Sequence, residues 1–144
     1  MDRVKNKRAA GRVLVFLPAV ILAVNLLACG MQKTATKKLR DVEFTVIDQS
    51  EIPQELLNTM EEKKKEGFKL TYADEKNLYL AVGYGEQKTG GYSIAVDKCY
   101  LTENAIYFGT TLNGPEKGEK INQVSSYPCI VVKMEAIDEP VVFE

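Results

Sequence analysis

The chain has 144 residues, which is about one domain at the usual ~150 residues per domain, and its 27% charged and 8% aromatic residues are ordinary globular values. It contains no histidine, which excludes Ser-His-Asp and Cys-His catalysis and removes the commonest zinc ligand. The net charge is -1, and beyond residue 28 acidic residues outnumber basic ones, so no cationic surplus remains to neutralise nucleic-acid phosphates. We therefore expect a binding module without enzymatic activity, cofactor, metal or nucleic-acid partner.

The first 28 residues have the layout of a secretory signal peptide. A basic segment at 1–12 precedes an uncharged apolar run from Val13 to Ala28. As a helix this run would be ~24 Å long, shorter than the ~30 Å hydrocarbon core, which favours a cleaved signal over a permanent membrane span. The run ends in Leu-Leu-Ala-Cys-Gly at 26–30, which resembles the lipobox of bacterial lipoproteins. This predicts lipidation of Cys29 and anchoring to the outer face of the cytoplasmic membrane, with ordinary cleavage or an uncleaved anchor as the alternatives.

The next segment, residues 29–38, is polar and has no apolar periodicity, which predicts a flexible tether before a folded domain at 39–144. Alternating apolar residues from Val42 to Val46 predict a strand. Pro53, suited to the first position of a helix, and a basic run that ends before Gly67 bound a helix of three to four turns. The apolar residues predicted to form its buried stripe are Ile52, Leu56, Leu57 and Met60.

After Gly67 the sequence consists of short apolar runs separated by turn residues, and each run predicts a strand. The runs are Phe68 to Tyr72, Leu78 to Tyr84, Tyr92 to Leu101, Ile106 to Leu112, Cys129 to Ala136 and Val141 to Phe143. Two-residue alternation in the third and fifth runs favours antiparallel pairing with one wetted face. The predicted fold class is α+β, mainly antiparallel β, with one N-terminal helix packed on a sheet, roll or sandwich-like domain.

Two turns and two cysteines complete this expectation. Thr102 to Asn104 forms a hairpin-length turn in which Asn104 is suited to a left-handed conformation, and residues 113–120 form a longer exposed loop. By alternation Cys99 and Cys129 lie on the more polar faces of their strands. The sequence leaves open whether they are cross-strand neighbours joined by a disulfide or two independent thiols.

The densest local signal is the stretch from Gly83 to Tyr92, which contains four glycines and two tyrosines. It does not fit a phosphate-binding loop, because Gln87 occupies the place of the glycine before Lys-Thr and a strand pattern follows. One interpretation is a hairpin turn with positive φ at Gly90 and Gly91 and tyrosines packed at its base. The other is a site for a protein partner, since a glycine-rich loop followed by a large tyrosine is typical of interface anchors.

The residues that carry a family resemblance lie in the same region. Gly-Tyr-Gly-Glu-Gln-Lys-Thr-Gly-Gly-Tyr-Ser-Ile at 83–94, Asn-Gly-Pro at 113–115 and Tyr-Pro-Cys-Ile-Val-Val-Lys at 127–133 resemble the PrcB C-terminal domain. The resemblance covers about residues 68–136, and Cys129 stands where an aromatic or aliphatic residue is usual. It implies a non-catalytic accessory subunit of a bacterial surface protease complex, with an exported protease as the expected protein partner.

On this basis we expect a non-catalytic lipoprotein with its partner-binding residues at Tyr84, Thr89, Gly90, Gly91 and Tyr92, beside the 113–120 loop. Two alternatives stay open. The segment from Thr89 to Tyr92 resembles the Thr-Gly-Tyr loop of chagasin-type cysteine-protease inhibitors, which would make the protein an inhibitor. A small-ligand-binding or structural envelope lipoprotein would instead show a pocket lined by Tyr72, Tyr79, Tyr100 or Tyr107.

Overall fold

The computed structural model describes residues 37–144. The predicted signal peptide, the lipidation at Cys29 and the tether as far as residue 36 lie outside these described residues. Within 37–144 no helix is both long enough and apolar enough to cross a membrane.

Strands dominate the described part of the chain. They are β1 (Lys38–Asp41), β2 (Thr45–Val46), β3 (Phe68–Ala73), β4 (Asn77–Gly83), β5 (Ser93–Thr102), β6 (Ile106–Asn113), β7 (Cys129–Glu135) and β8 (Val141–Phe143). The helix α1 spans Gln54–Lys63, after a short 3₁₀ helix at Gln49–Glu51. Sheet A has the strand order β1-β5-β6-β8 and sheet B the order β2-β7-β4-β3. All neighbouring strands are antiparallel except β8, which runs parallel to β6, so the predicted α+β, mainly antiparallel class is confirmed.

The main core lies between the two sheets. Leu80 and Val132 of sheet B pack in one cluster with Ile106 and Phe108 of sheet A, and none of the four is more than 1% exposed. Fully burying aliphatic and aromatic side chains of this size stabilises a fold by about 1.5–3 kcal/mol each. This cluster therefore holds the two sheets against each other.

A second core lies on the other face of sheet B. The helix α1 connects β2 to β3, which are opposite edges of that sheet, so the helix must cross its outer face. Leu56 and Met60 pack there against Tyr79, Ala81 and Val131. Both faces of β4 and β7 are consequently buried.

Local signals set the ends of α1. The Pro53 carbonyl accepts the first helical hydrogen bond from the Leu57 N–H at 3.0 Å. At the other end Gly67 has φ +91°, and its N–H donates to the Lys63 carbonyl at 3.0 Å, which is a common way to finish a helix. The helix is shorter than predicted, at ten residues, and Leu57 is only half-buried.

The predicted strand from Val42 to Val46 is wrong, because the chain changes sheets within it. The Val42 N–H donates to the Cys99 carbonyl at 2.9 Å and thus extends the pairing of β1 in sheet A. Thr45 and Val46 instead pair with β7 in sheet B. The apolar residues on the two sides of this crossing alternate in the sequence, which is why the pattern resembled one strand.

The predicted polar position of Cys99 is also wrong. The register of β5 against β6 shifts between Val96 and Lys98, which leaves Asp97 as an extra, bulged residue. Beyond a one-residue bulge the alternation reverses, so Cys99 faces the core and is 8% exposed. Cys129 lies in the other sheet, and both cysteines are free thiols and not cross-strand neighbours.

The hairpin turn between β5 and β6 is held by a side chain. The Thr102 hydroxyl accepts hydrogen bonds from the N–H groups of Asn104 and Ala105, at 3.2 and 3.1 Å. Asn104 was expected to be left-handed, but among the described residues only glycines have positive φ. The buried threonine supplies the turn geometry instead.

Candidate functional site

Two long loops connect the strands of one sheet to those of the other. The first crossing loop, residues 84–92, leads from β4 in sheet B to β5 in sheet A, and the second crossing loop, residues 114–128, leads from β6 back to β7. The glycine-rich stretch is therefore not a hairpin turn, because the strands that it joins belong to different sheets. Together we call these segments the loop pair.

Hydrogen bonds hold the two loops together along their length. Gln87 and Ser126 exchange two backbone bonds of 2.8 and 3.0 Å, and the Gly90 N–H donates to the Asn122 carbonyl at 2.9 Å. The Ser126 hydroxyl adds a bond of 2.7 Å to the Thr89 carbonyl. Since each crossing loop satisfies backbone groups of the other, the loop pair is a single preformed surface.

Two glycines of the first crossing loop are required where its backbone approaches other segments closely. Gly91 has φ +88°, and a Cβ there would lie 2.9 Å from the Pro115 Cβ of the second crossing loop. Gly85 has φ +76°, and a Cβ there would lie 2.9 Å from the Lys65 carbonyl oxygen. The expected positive φ is therefore found at Gly91 but not at Gly90.

The tyrosines of the first crossing loop are partly buried. The hydroxyls of Tyr84 and Thr110 lie 2.6 Å apart, which ties the end of β4 to β6 across the core. Tyr92 is half-buried, with its ring near Gly114 of the second crossing loop. Tyr84 thus joins the sheets, whereas Tyr92 remains partly accessible at the surface of the loop pair.

The exposed part of the loop pair includes a residue that the sequence did not single out. Val124 is 63% exposed, the largest value among the exposed large hydrophobic side chains of the described residues. It lies in the polar stretch 122–126, where an isolated aliphatic residue was the available signal. Lys88 and Gly91 of the first crossing loop are also exposed.

A separate open cleft of about 830 Å³ lies where the chain changes sheets. Its lining mixes the apolar Val42 and Phe44 with Arg40, Lys133 and carboxylates that include Glu43. Within residues 37–144 no group of three or more histidine, cysteine, aspartate or glutamate residues could hold a metal ion. The cleft therefore has room for a ligand, but its mixed lining does not indicate which class of ligand would bind.

The pKa values of both cysteine thiols are raised. Burial, together with the nearby Asp41, raises the pKa of Cys99 to about 11, and burial near Glu61 raises the pKa of Cys129. Cys129 borders a small pocket of about 150 Å³, in which Lys64 lies 5.2 Å from the Tyr127 ring centre. A raised thiol pKa lowers the thiolate fraction at neutral pH, which disfavours covalent chemistry.

The four remaining tyrosines form two separate pairs. Tyr72 and Tyr79 meet edge to face with ring centres 6.0 Å apart, on adjacent strands of sheet B. Tyr100 and Tyr107 stack at 5.2 Å in sheet A. None of them lines the cleft or the small pocket described above, so the structure does not bring them together around a ligand.

Comparison with known protein families places part of this chain in a described family model. Residues 78–135 match the family model described as PrcB C-terminal, from the second residue of β4 through β5, β6 and both crossing loops to the end of β7. No curated protein and no solved structure matches the chain. The resemblance inferred from the sequence is thus confirmed over the segment that contains the loop pair.

Proposed function

We propose, from the match of residues 78–135 to the PrcB C-terminal family model, that this chain is a non-catalytic accessory module that binds an exported protein through the loop pair. The observation that carries the proposal is that the matched segment contains both crossing loops and the strands that position them. The partner favoured by the family is an exported protease. Cys29 would hold the module at the outer face of the cytoplasmic membrane.

The geometry of the loop pair supports a binding role. Its backbone is fixed by the bonds between Gly90 and Asn122 and between Gln87 and Ser126. A surface that is ordered before it meets its partner loses less conformational entropy on binding. Val124 and the ring of Tyr92 supply apolar contact area on this surface, and aromatic anchors of this kind often dominate interface energies.

The loop contacts favour an accessory role over protease inhibition. An inhibitor of the chagasin type inserts its loop into an active-site cleft. Here the Thr89 carbonyl and the Gly90 N–H are already bonded to Ser126 and Asn122. These backbone groups are occupied within the protein, which supports contact by the whole loop pair.

Cross-linked recovery from the native envelope tests the partner. Full-length wild type should recover one exported protein, and Tyr92→Ala should recover at least about tenfold less, because loss of a hot-spot tyrosine typically costs 2 kcal/mol or more. Tyr72→Ala on sheet B is the matched control, because Tyr72 is half-buried like Tyr92 but lies on neither crossing loop nor β6, and it should recover as much as wild type. Melting temperatures of all three proteins are measured alongside.

Two results would count against the loop pair. Equal recovery by wild type and Tyr92→Ala would remove the loop pair as the contact. A large loss of melting temperature in Tyr92→Ala would show that the tyrosine packs the loops together. Dose-dependent inhibition of papain-like proteases by the purified protein would favour the inhibitor instead.

The membrane anchor has its own test. Cells grown with a clickable fatty acid should label the wild-type protein and leave Cys29→Ala unlabelled, with the variant shifted from the membrane to the soluble fraction. Label that persists in Cys29→Ala, or none in wild type, would refute lipidation at this residue.

A further inference from the structure

On one side, strand β6 is paired over only part of its length. Along one edge it pairs with β5 over its full length, from Ile106 to Asn113. Along the other edge it pairs with β8 over only three residues, Ile106 to Phe108. The stretch 109–113, which we call the open edge, has no partner strand on that side among the described residues.

The direction of the backbone groups follows from the observed bonds. The Ile106 N–H donates to the Pro140 carbonyl at 2.8 Å, and the Phe108 carbonyl accepts from the Glu144 N–H at 2.9 Å. Backbone groups alternate sides along a strand, so the N–H and C=O of Thr110 and Leu112 point the same way. Within residues 37–144 these two residues make no backbone bond outside the pairing of β5 with β6.

From this geometry we infer that an extended segment of the protein partner adds to sheet A along the open edge. The inference rests on the proposed function and specifies how that partner is held. The segment would bond to the outward N–H and C=O groups of Thr110 and Leu112, as in other complexes in which a peptide adds a strand to a sheet.

Three structural features favour an extended chain as the occupant. β8 already lies beside β6 as an added strand in parallel orientation, so this edge accepts one. The open edge runs directly into the second crossing loop at residue 114, so one partner can contact both. Thr110 is fixed by its hydroxyl bond to Tyr84, which keeps the strand in place.

Charge does not select a different kind of occupant. Asp97 accepts a hydrogen bond from the Thr111 hydroxyl, and Lys98 is paired with Glu144 at 2.9 Å. These three charged groups are therefore already partnered within the protein. The partner would therefore be recognised by the backbone of the open edge. Its alternating donors and acceptors match those of another extended chain.

A proline substitution separates backbone recognition from side-chain recognition. Leu112→Pro removes the outward N–H and places the proline ring where the partner strand would lie, while the pairing with β5 does not use that N–H. Leu112→Ala is the matched control, because it shortens the side chain and keeps the N–H. In the cross-linked recovery, Leu112→Pro should recover the partner about tenfold less or worse, and Leu112→Ala within about twofold of wild type.

A second variant blocks the open edge without changing it. β8 runs parallel to β6 and ends beside Phe108, so residues added after Glu144 continue along 109–113. Appending Thr-Val-Thr-Val-Thr should fill the edge, slow hydrogen exchange at the Thr110 and Leu112 amides and abolish partner recovery. Appending Gly-Ser-Gly-Ser-Gly is the control and should leave recovery unchanged.

The outcomes distinguish this inference from the proposed function. Partner recovery that is lost in Tyr92→Ala but kept in both Leu112→Pro and the Thr-Val extension would overturn strand addition alone. Absence of any wild-type partner would overturn both. If wild type instead cross-links to itself and Leu112→Pro abolishes this, the open edge joins two copies of this chain and the inferred partner is wrong. If Leu112→Pro lowers the melting temperature, the comparison between the Thr-Val and Gly-Ser extensions tests the inference instead.

Discussion

The two sheets share a core, but their outer faces differ. On sheet B, Tyr79, Ala81 and Val131 are buried under α1. On sheet A the corresponding face carries the stacked Tyr100 and Tyr107, which are only half-buried, and no helix within residues 37–144 packs over them. The central strands β4 and β7 of sheet B are therefore buried on both faces, whereas β5 and β6 of sheet A are buried on one.

This difference assigns separate tasks to the sheets. Central strands that are buried on both sides supply most of the apolar burial and set the stability of the fold. The half-covered sheet retains the features that a partner can reach, which are the open edge of β6 and the attachment points of both crossing loops. Stability and binding can thus be altered separately by substitution, and the following predictions test that separation.

The largest effect is expected under the helix. Leu56 is 3% exposed and packs in the second core, so Leu56→Ala should lower the free energy of unfolding by about 2–5 kcal/mol. The loss combines the buried methyl groups with the cavity that they leave. Urea unfolding of the purified protein measures it.

A smaller effect is expected on the outer face of sheet A. Tyr107→Ala removes the stacked partner of Tyr100, and an aromatic pair contributes about 0.5–1.5 kcal/mol beyond its buried area. The same urea titrations compare this variant with Leu56→Ala. A loss in Tyr107→Ala equal to or larger than that in Leu56→Ala would show that the helix is not what distinguishes the sheets.

Much of the sheet framework could be predicted from the sequence. The runs that became β3, β4, β6, β7 and β8 end within a few residues of their predicted limits, because turn residues bound each apolar run. The predictions that were wrong concern the path of the chain within an apolar run. The bulge at Asp97 adds a residue without changing the apolar content, so alternation placed Cys99 on the wrong face. The crossing after Val42 has the same periodicity as a continuous strand.

The candidate site was only half predictable. The glycine and tyrosine content of 83–92 marked the first crossing loop, and the family resemblance covered both loops. Their contact could not be inferred, since the bond from Gly90 to Asn122 joins residues that are separated by two whole strands. It depends on both loops crossing between the same two sheets. The open edge depends in turn on where β8 ends, which is a property of pairing register.

The smallest effect is expected at the hairpin turns, which are held by different side chains in the two sheets. In the β3–β4 turn of sheet B, the Asp74 carboxylate accepts the N–H groups of Lys76 and Asn77 at 2.8 and 2.7 Å. These backbone bonds hold the pKa of Asp74 below its ordinary value of 3.8. The equivalent turn in sheet A uses the neutral Thr102 hydroxyl.

A carboxylate whose pKa is lowered by folding stabilises the protein above its unfolded pKa, and this contribution is lost as the pH falls through the folded value. Asp74→Asn should therefore be less stable than wild type at pH 6, and the difference should shrink below about pH 3.8. Thr102→Ser keeps a neutral hydroxyl, so its difference from wild type should be the same at both pH values. Melting temperatures at pH 6 and pH 3 measure both, and a constant gap for Asp74→Asn would show that the charge of Asp74 does not stabilise this turn.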